Sequence, residues 1–349
     1  MKTIEIAGRK IGPGLPCFIV AEAGVNHNGD IDMAKQLITA AKSTGADAVK
    51  FQTWVTEKVV IPDAKMADYQ KHNLGAEYSQ FKMLKQYELS YDQFTELKDF
   101  AFEQKIIFFS SPDEEDSADF LHQLFVPCFK IGSGEVTNLP FLSHVALKNI
   151  PIILSTGMSD LGEVENAVRI IEKAGNHQLI LLHCESSYPS DASNSNLRAM
   201  DTLAVAFGYP VGFSDHTLGI EVAIGAVARG ACIIEKHLTL DKSLKGPDHC
   251  SSLEPNEFTT MVHAIRLIES ALGDGIKRPT LAELNTKNVV QKTIVTSRDI
   301  SENTILTDPD LILRRATDGL PSSFLPLILG RRVNRNIKAN KPVTWEMLG

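Results

Sequence analysis

The sequence predicts a (β/α)8 barrel, of the TIM-barrel kind, followed by a small, mostly β domain. Three observations carry this reading. Eight short apolar runs each stop at a polar or charged group, which is how buried parallel strands read when the chemistry sits at their ends. Helix-like stripes lie between most of the runs. After Gly275 the chain changes to short apolar runs broken by Asp, Asn, Gly and Pro, the pattern of a small all-β unit. The expected boundaries are residues 1–275 for the barrel, 276–288 for a charged, polar linker and 289–349 for the small domain. A chain of 349 residues holds one barrel of roughly 250 residues and one such domain.

Taken in order, CFIVAE ends at Glu22, and AVKFQ carries Lys50 and Gln52. IIFFSS ends at Ser110 and Ser111, and CFKIGSGE carries Lys130, Ser133 and Glu135. PIILSTG ends at Ser155, LILLHC at His183 and Cys184, VGFSDH at Asp215 and His216, and CIIEKH at Glu235 and His237. Ahead of them, MKTIEIAGRKIG alternates and reads as a hairpin. Asp30 precedes a helical stripe at Met33, Ala34, Leu37, Ile38 and Ala41, which Gly45 ends. Ser90 with Gln93, and Asp160 with Glu163, have the spacing of capping boxes. Phe258, Met261, Val262, Ile265 and Leu272 form the last stripe. Two connections stand out. Trp54 to Leu89 far exceeds the usual βα loop of about 2–6 residues, so a lid or substrate wall is expected there. Asp241 to Glu254 holds Gly246-Pro247-Asp248-His249 just after the last strand.

Composition narrows the function. A net charge of −8 without a basic stripe argues against a nucleic-acid partner. No apolar run approaches the roughly 20 residues that span a bilayer, and the N-terminal segment has no signal-peptide core, so no membrane partner is expected. Five cysteines without a CxxC spacing read as small buried hydrophobes in a reducing, cytoplasmic setting. His183 and Cys184 are adjacent on a strand and point to opposite faces, which makes them packing residues rather than a catalytic pair.

The same alternation puts Lys50 with Gln52, Ser214 with His216, and Glu235 with His237 on shared faces. Two histidines on neighbouring strand ends, with oxygens nearby, suit a divalent metal that keeps open positions; the alternative is hydrogen bonding in a polar pocket. Lys50, Lys130, Ser133, Ser155 and Ser214 suit a phosphate or carboxylate ligand; the alternative for a buried lysine is a salt bridge to a neighbouring acid. Arg314-Arg315 in the small domain reads as a solvated face unless that domain docks on something.

AEAGVNHNGD, VKFQT, FKIGSGEVTNLP, ILSTGM, LLHC, GFSDHTLGIE, IIEKHLTLDK and GPDHCSSLEP occur in this order. From Phe18 to Leu272 the chain resembles the sialic acid synthase family, whose members make nonulosonic acids. The tail resembles that family's antifreeze-like, or SAF, domain, a β-clip fold. The resemblance implies condensation of phosphoenolpyruvate with an open-chain N-acetylated amino sugar and water. C3 of phosphoenolpyruvate attacks the sugar aldehyde, water adds at C2, and phosphate leaves by C–O cleavage. It implies a divalent metal (Mn2+, with Mg2+ or Co2+ as alternatives) on His216 and His237, acting as Lewis acid and template. Phosphoenolpyruvate would meet Lys50, Lys130, Ser133, Ser155 and Ser214. Gln52, Tyr188 and Asp248 would surround the sugar, with Glu22 or Glu135 as acid/base. Ser111 and Ser186 join the substrate-binding set. A domain-swapped homodimer would bring Arg315 from the partner. N-acetylmannosamine and a diacetamido sugar of the legionaminic series are both open as acceptor. A synthase for a phosphorylated aldose and a non-catalytic carbohydrate binder are the alternatives, and the joint presence of both histidines and both lysines argues against the binder. Three departures from the family's common pattern fall where the sugar is expected. Asp113 stands for a frequent Phe, Glu185-Ser186-Ser187-Tyr188 for a Thr or Asn pattern, and Arg315-Ala316-Thr317-Asp318-Gly319 lacks a usual proline.

Overall fold

Eight parallel strands close on themselves into a barrel. The computed structural model describes residues 2–75 and 78–349. The hairpin β1 (Ile4–Ile6) and β2 (Arg9–Ile11) comes first. The barrel strands are β3 (Phe18–Gly24), β4 (Ala48–Thr53), β5 (Ile107–Pro112), β6 (Phe129–Ile131), β7 (Ile152–Ser155), β8 (Leu179–Cys184), β9 (Val211–Asp215) and β10 (Ile233–His237). Each is one of the eight apolar runs, and β10 pairs with β3 to close the ring. The strands are buried nearly throughout, because side chains fill the inside and helices cover the outside. Ile4, Ile6 and Ile11 of the hairpin join the same apolar core.

The expected helix signals are realised. Asp30 caps Ile31–Ser43 by accepting from Asp32 N and Met33 N, and Ala34, Leu37, Ile38 and Ala41 are buried. Ser90 and Asp160 close capping boxes with Gln93 and Glu163, each cap worth about 0.5–2 kcal/mol. Leu272 departs from its expected place in the last stripe: helix Pro255–Leu272 buries Phe258, Met261, Val262 and Ile265, but Leu272 is 53% exposed at its final turn. The long connection after β4 is not a loose loop. It carries helices Thr56–Val59, Asp68–Leu74 and Gln80–Tyr87. Trp54, Met66, Met83 and Tyr87 gather with Val25 in a small apolar cluster of their own.

The chain divides into two compact units, Met1–Gly273 and Asp274–Gly349. The second has its own apolar core, with Ile294, Ile328, Val333 and Val343 fully buried. Of its four strand-like runs, two form a sheet: β11 (Lys292–Thr296) pairs antiparallel with β12 (Leu311–Arg315). The other two make single bridges, Ile305 with Arg332 and Val295 with Pro342 among them. Most of the stretch read as a linker is an exposed helix, Leu281–Val290, which is capped by Thr280 and runs two residues past the expected boundary at 288.

Candidate active site

The C-terminal ends of the barrel strands surround a cavity of about 360 Å³. Inward alternation brings Glu22, Lys50, Gln52, Ser111, Lys130 and Ser214 to its floor and walls. The last residues of β7 and β10 add Ser155 and His237, and the segments that follow the strands add Ser133, Ser186, Tyr188 and His216. Two glycines keep the space open. A β-bulge in β3 lies between Glu22 and Gly24, and Gly24 has φ +49°. A Cβ there would come within 3.2 Å of Glu22 Oε1 and 3.5 Å of the His237 ring. A Cβ on Gly157 would sit 2.4 Å from Ser186 Oγ and 2.9 Å from Ser133 Oγ, closer than any side chain tolerates.

The floor is an alternating set of buried charges. Lys50 Nζ lies 2.8 Å from Glu22 Oε1 and 3.9 Å from Glu235 Oε2, and Lys130 Nζ lies 3.6 Å from Glu235 Oε1. Lys50 also donates to Ser111 Oγ at 3.1 Å. Both readings of the lysines therefore meet here: they are salt-bridged, and they face the cavity. Burial pushes the Glu22 carboxyl up to about 7, against the pull of Lys50. Its Oε1 accepts from Lys50 and Gln52, while Oε2 is buried without a partner. Burial lowers Lys130, with Glu235 only partly offsetting it. Glu235 is also penalised by burial, but Lys130 and Lys50 hold it below the ordinary carboxyl range. Ser155 Oγ is a second buried group with no partner.

The histidines form one edge. Their ring centroids are 5.6 Å apart, and the Tyr188 ring lies 4.1 Å from His216, tilted by 34°. His216 Nδ1 lies 2.5 Å from the Glu185 carbonyl. A carbonyl only accepts, so Nδ1 carries the proton and Nε2 presents a lone pair. Ser214 Oγ is 3.3 Å from that Nε2, but it donates its single proton to Glu235 Oε1 at 3.0 Å. Burial lowers His216 to about 4, and burial, with His216 and Lys50 nearby, lowers His237 well below the ordinary imidazole value. Both rings are neutral at pH 7, the form that binds metals. His237 Nδ1 is buried without a hydrogen bond, 3.9 Å from Asp248 Oδ2. Among the described residues no three His, Cys, Asp or Glu side chains converge as a complete metal cage. Two neutral imidazoles with a free lone pair fit an ion that takes its remaining ligands from substrate and water.

Similarity to known proteins covers both units. The NeuB family model matches residues 37–277. The chain belongs to the NeuB family. It is a sialic acid synthase-like enzyme, and the SAF domain model matches residues 291–349. It is 46% identical to the N,N'-diacetyllegionaminic acid synthase of Legionella pneumophila over 96% of this chain and 95% of that one. It is 37% identical to the N-acetylneuraminate-9-phosphate synthase of Homo sapiens over 98% of this chain and 95% of that one. The crystal structure of an N-acetylneuraminic acid synthetase from Leptospira borgpetersenii superposes with a TM-score of 0.72 at 34% identity, covering 83% of this chain and 97% of that one. Among the described residues no helix is long and apolar enough to cross a membrane.

In this NeuB-family enzyme three expected site residues lie apart from the cavity wall. Glu135 sits half-buried in the turn Ser133–Glu135, where its Oε2 accepts from Asn138 at 2.7 Å. Asp248 is buried behind His237, and burial lifts its carboxyl to about 6. Arg315 is exposed on β12 in the second unit. Conversely, Asp113, Tyr69, Glu235, Cys184 and Met158 line the cavity without having been assigned to it. Asp113 was visible only as a departure from the family's aromatic. Burial and the nearby Glu135 raise it to about 7, despite Lys50. Tyr69 comes from the helical insertion and packs 5.0 Å from Tyr188; no local signal marks a residue that reaches the site from a distant helix. Cys184 corrects the packing assignment for the end of β8. It faces Ser133 Oγ at 3.2 Å inside the cavity, whereas His183 turns away to the Ser195 carbonyl at 2.9 Å. The insertion is tied to the mouth by Asn73, whose Nδ2 donates to the Pro247 carbonyl at 2.6 Å and the Tyr188 carbonyl at 3.3 Å.

Proposed function

We propose that the enzyme condenses phosphoenolpyruvate with an open-chain N-acetylated amino sugar and water to give a nine-carbon nonulosonic acid and phosphate. The acceptor is N-acetylmannosamine or a diacetamido analogue. The observation that carries this reading is one cavity in which two buried lysines and a ring of serine hydroxyls face two neutral histidines. Lys50, Lys130, Ser133, Ser155 and Ser214 bind the phosphate and carboxylate through charge-assisted hydrogen bonds; Ser155 Oγ already lacks a partner. His216 and His237 hold a divalent metal, Mn2+ by preference. When bound, that ion supplies Lewis-acid activation and a template for the sugar's carbonyl end. Gln52, Ser111, Ser186, Tyr188 and Asp248 orient the sugar. Glu22 is the acid/base: its unpartnered Oε2 and its pKa near neutrality let it hold or release a proton at the cavity floor. Glu135 acts through Asp113, keeping that carboxyl protonated to higher pH. The names of the relatives support nonulosonic acid chemistry.

Phosphate release with phosphoenolpyruvate, Mn2+ and a panel of free and phosphorylated N-acetyl sugars tests the reaction. We expect release with a free N-acetylated acceptor and its loss on adding EDTA. Release from no acceptor, or release indifferent to EDTA, sinks the metal-dependent synthase.

Arg315 is exposed, and its side chain makes no hydrogen bond or ion pair among the described residues. In a swapped homodimer it serves the partner's sugar. Arg315→Ala is then expected to raise the sugar KM and to leave the phosphoenolpyruvate KM near its original value. Activity that survives dilution to monomer refutes the shared site.

A further inference from the structure

Behind the two histidines lies a buried ion pair that the cavity chemistry does not use. Lys236 Nζ meets Asp215 Oδ2 at 2.7 Å, and both side chains are 0% exposed. The two residues are register partners on β10 and β9, one position before His237 and His216. Alternation turns them to the outer face of the barrel wall. Their bonds converge on Thr217, which follows His216. Lys236 Nζ donates to the Thr217 carbonyl at 2.5 Å. Asp215 Oδ1 accepts from Thr217 N at 2.9 Å and from Thr217 Oγ1 at 2.7 Å. The two peptide groups that flank Thr217, directly after His216, are thus tied through Asp215 and Lys236 to the strand that carries His237.

A buried ion pair is a poor way to gain stability, since a well-packed apolar pair of similar volume often does as well or better. Its placement supplies another use. We propose that Lys236, Asp215 and Thr217 form a positioning clamp that holds the His216 and His237 imidazoles at the separation one metal ion needs. This rests on the metal reading of the histidines given above. Without the clamp, the turn after His216 keeps the backbone bond from Ser190 N to His216 O and the Nδ1 bond to Glu185, neither of which reaches β10.

Removing one charge alone leaves the other buried and unpaired, so single variants risk unfolding. Asp215→Leu/Lys236→Met removes both and keeps an apolar filling. Thr217→Val removes only the hydroxyl. Mn2+ alone is titrated into full-length wild type and both variants, with free Mn2+ read by electron paramagnetic resonance. The nitrogen spin-echo modulation reports how many imidazoles coordinate, and apo-protein melting reports stability. The double variant is expected to melt near the wild type, to bind Mn2+ about 10–100-fold more weakly, and to lose the two-imidazole signature. Thr217→Val is expected to fall between them. A double variant that binds Mn2+ within about twofold of wild type, far less than an outer-shell loss costs, overturns the clamp. If the double variant does not fold, an unchanged Mn2+ affinity in Thr217→Val overturns it instead. Wild type that takes up no Mn2+ overturns the metal reading itself, and the clamp with it.

Discussion

His216→Ala is expected to lose metal-stimulated turnover by about 10³-fold, taking Lewis-acid stabilisation as worth several kcal/mol and each tenfold as about 1.4 kcal/mol. The argument runs from the ring's surroundings. The Glu185 carbonyl fixes the proton on Nδ1, the only proton of Ser214 goes to Glu235, and burial keeps the ring neutral. Among the described residues the remaining lone pair on Nε2 then has no donor, since Ser214, 3.3 Å away, has no second proton to give. Alanine removes that ligand atom and leaves β9 intact, so the variant should keep its circular dichroism and its melting behaviour. His237→Ala is expected to behave alike, since its Nδ1 is likewise without a partner. Turnover measured with added Mn2+ and with EDTA checks this. Full activity in either variant refutes the ligand assignment.

Replacing Glu22 with Gln should slow the reaction by about 10²–10⁴-fold, the usual reach of a positioned acid/base. The group is 1% exposed, and burial lifts it to about 7 against the pull of Lys50. A carboxyl with that pKa is ionised above pH 7 and protonated below it. If it takes a proton from the water that adds at C2, kcat/KM falls with unit slope as pH drops below about 7. The Gln variant keeps the Lys50 contact through its amide oxygen but cannot accept the proton, so this limb should vanish from its profile. A wild-type profile flat through pH 6–8, or a Gln variant with an unchanged limb, removes Glu22 from the proton transfer. Asp113, also raised to about 7, is the competing source of such a limb. Asp113→Asn separates the two, because it is expected to leave the limb in place.

All eight barrel strands and both histidines were legible in the order of residues, for a physical reason. A strand buried on both faces is a continuous apolar run, and its first polar residue marks where the barrel opens. Period-two alternation then sorts Lys50 with Gln52 and Glu235 with His237 before any coordinates exist. Caps at Asp30, Ser90 and Asp160 are equally local, since each depends on hydrogen bonds within about one helical turn. What only the tertiary structure decided lies across strands. Glu235 was seen as a strand end, yet its place between Lys50 and Lys130 depends on three strands meeting. Tyr69 reaches the cavity through the packing of a helical insertion, and Cys184 through a strand end that faces Ser133. The roles of Glu22 and Glu135 could not be separated by sequence, because both are acids at strand ends. The structure gives them different surroundings: Glu22 is sealed among charges with one oxygen free, while Glu135 spends an oxygen on Asn138. Residue type and period are properties of the chain, so the sequence determined the fold and the shortlist of reactive groups. Desolvation and pairing arise only when distant segments share one enclosed space, so the structure decided which of those groups are sealed from water, which keep a polar atom without a partner, and which turn away from the cavity.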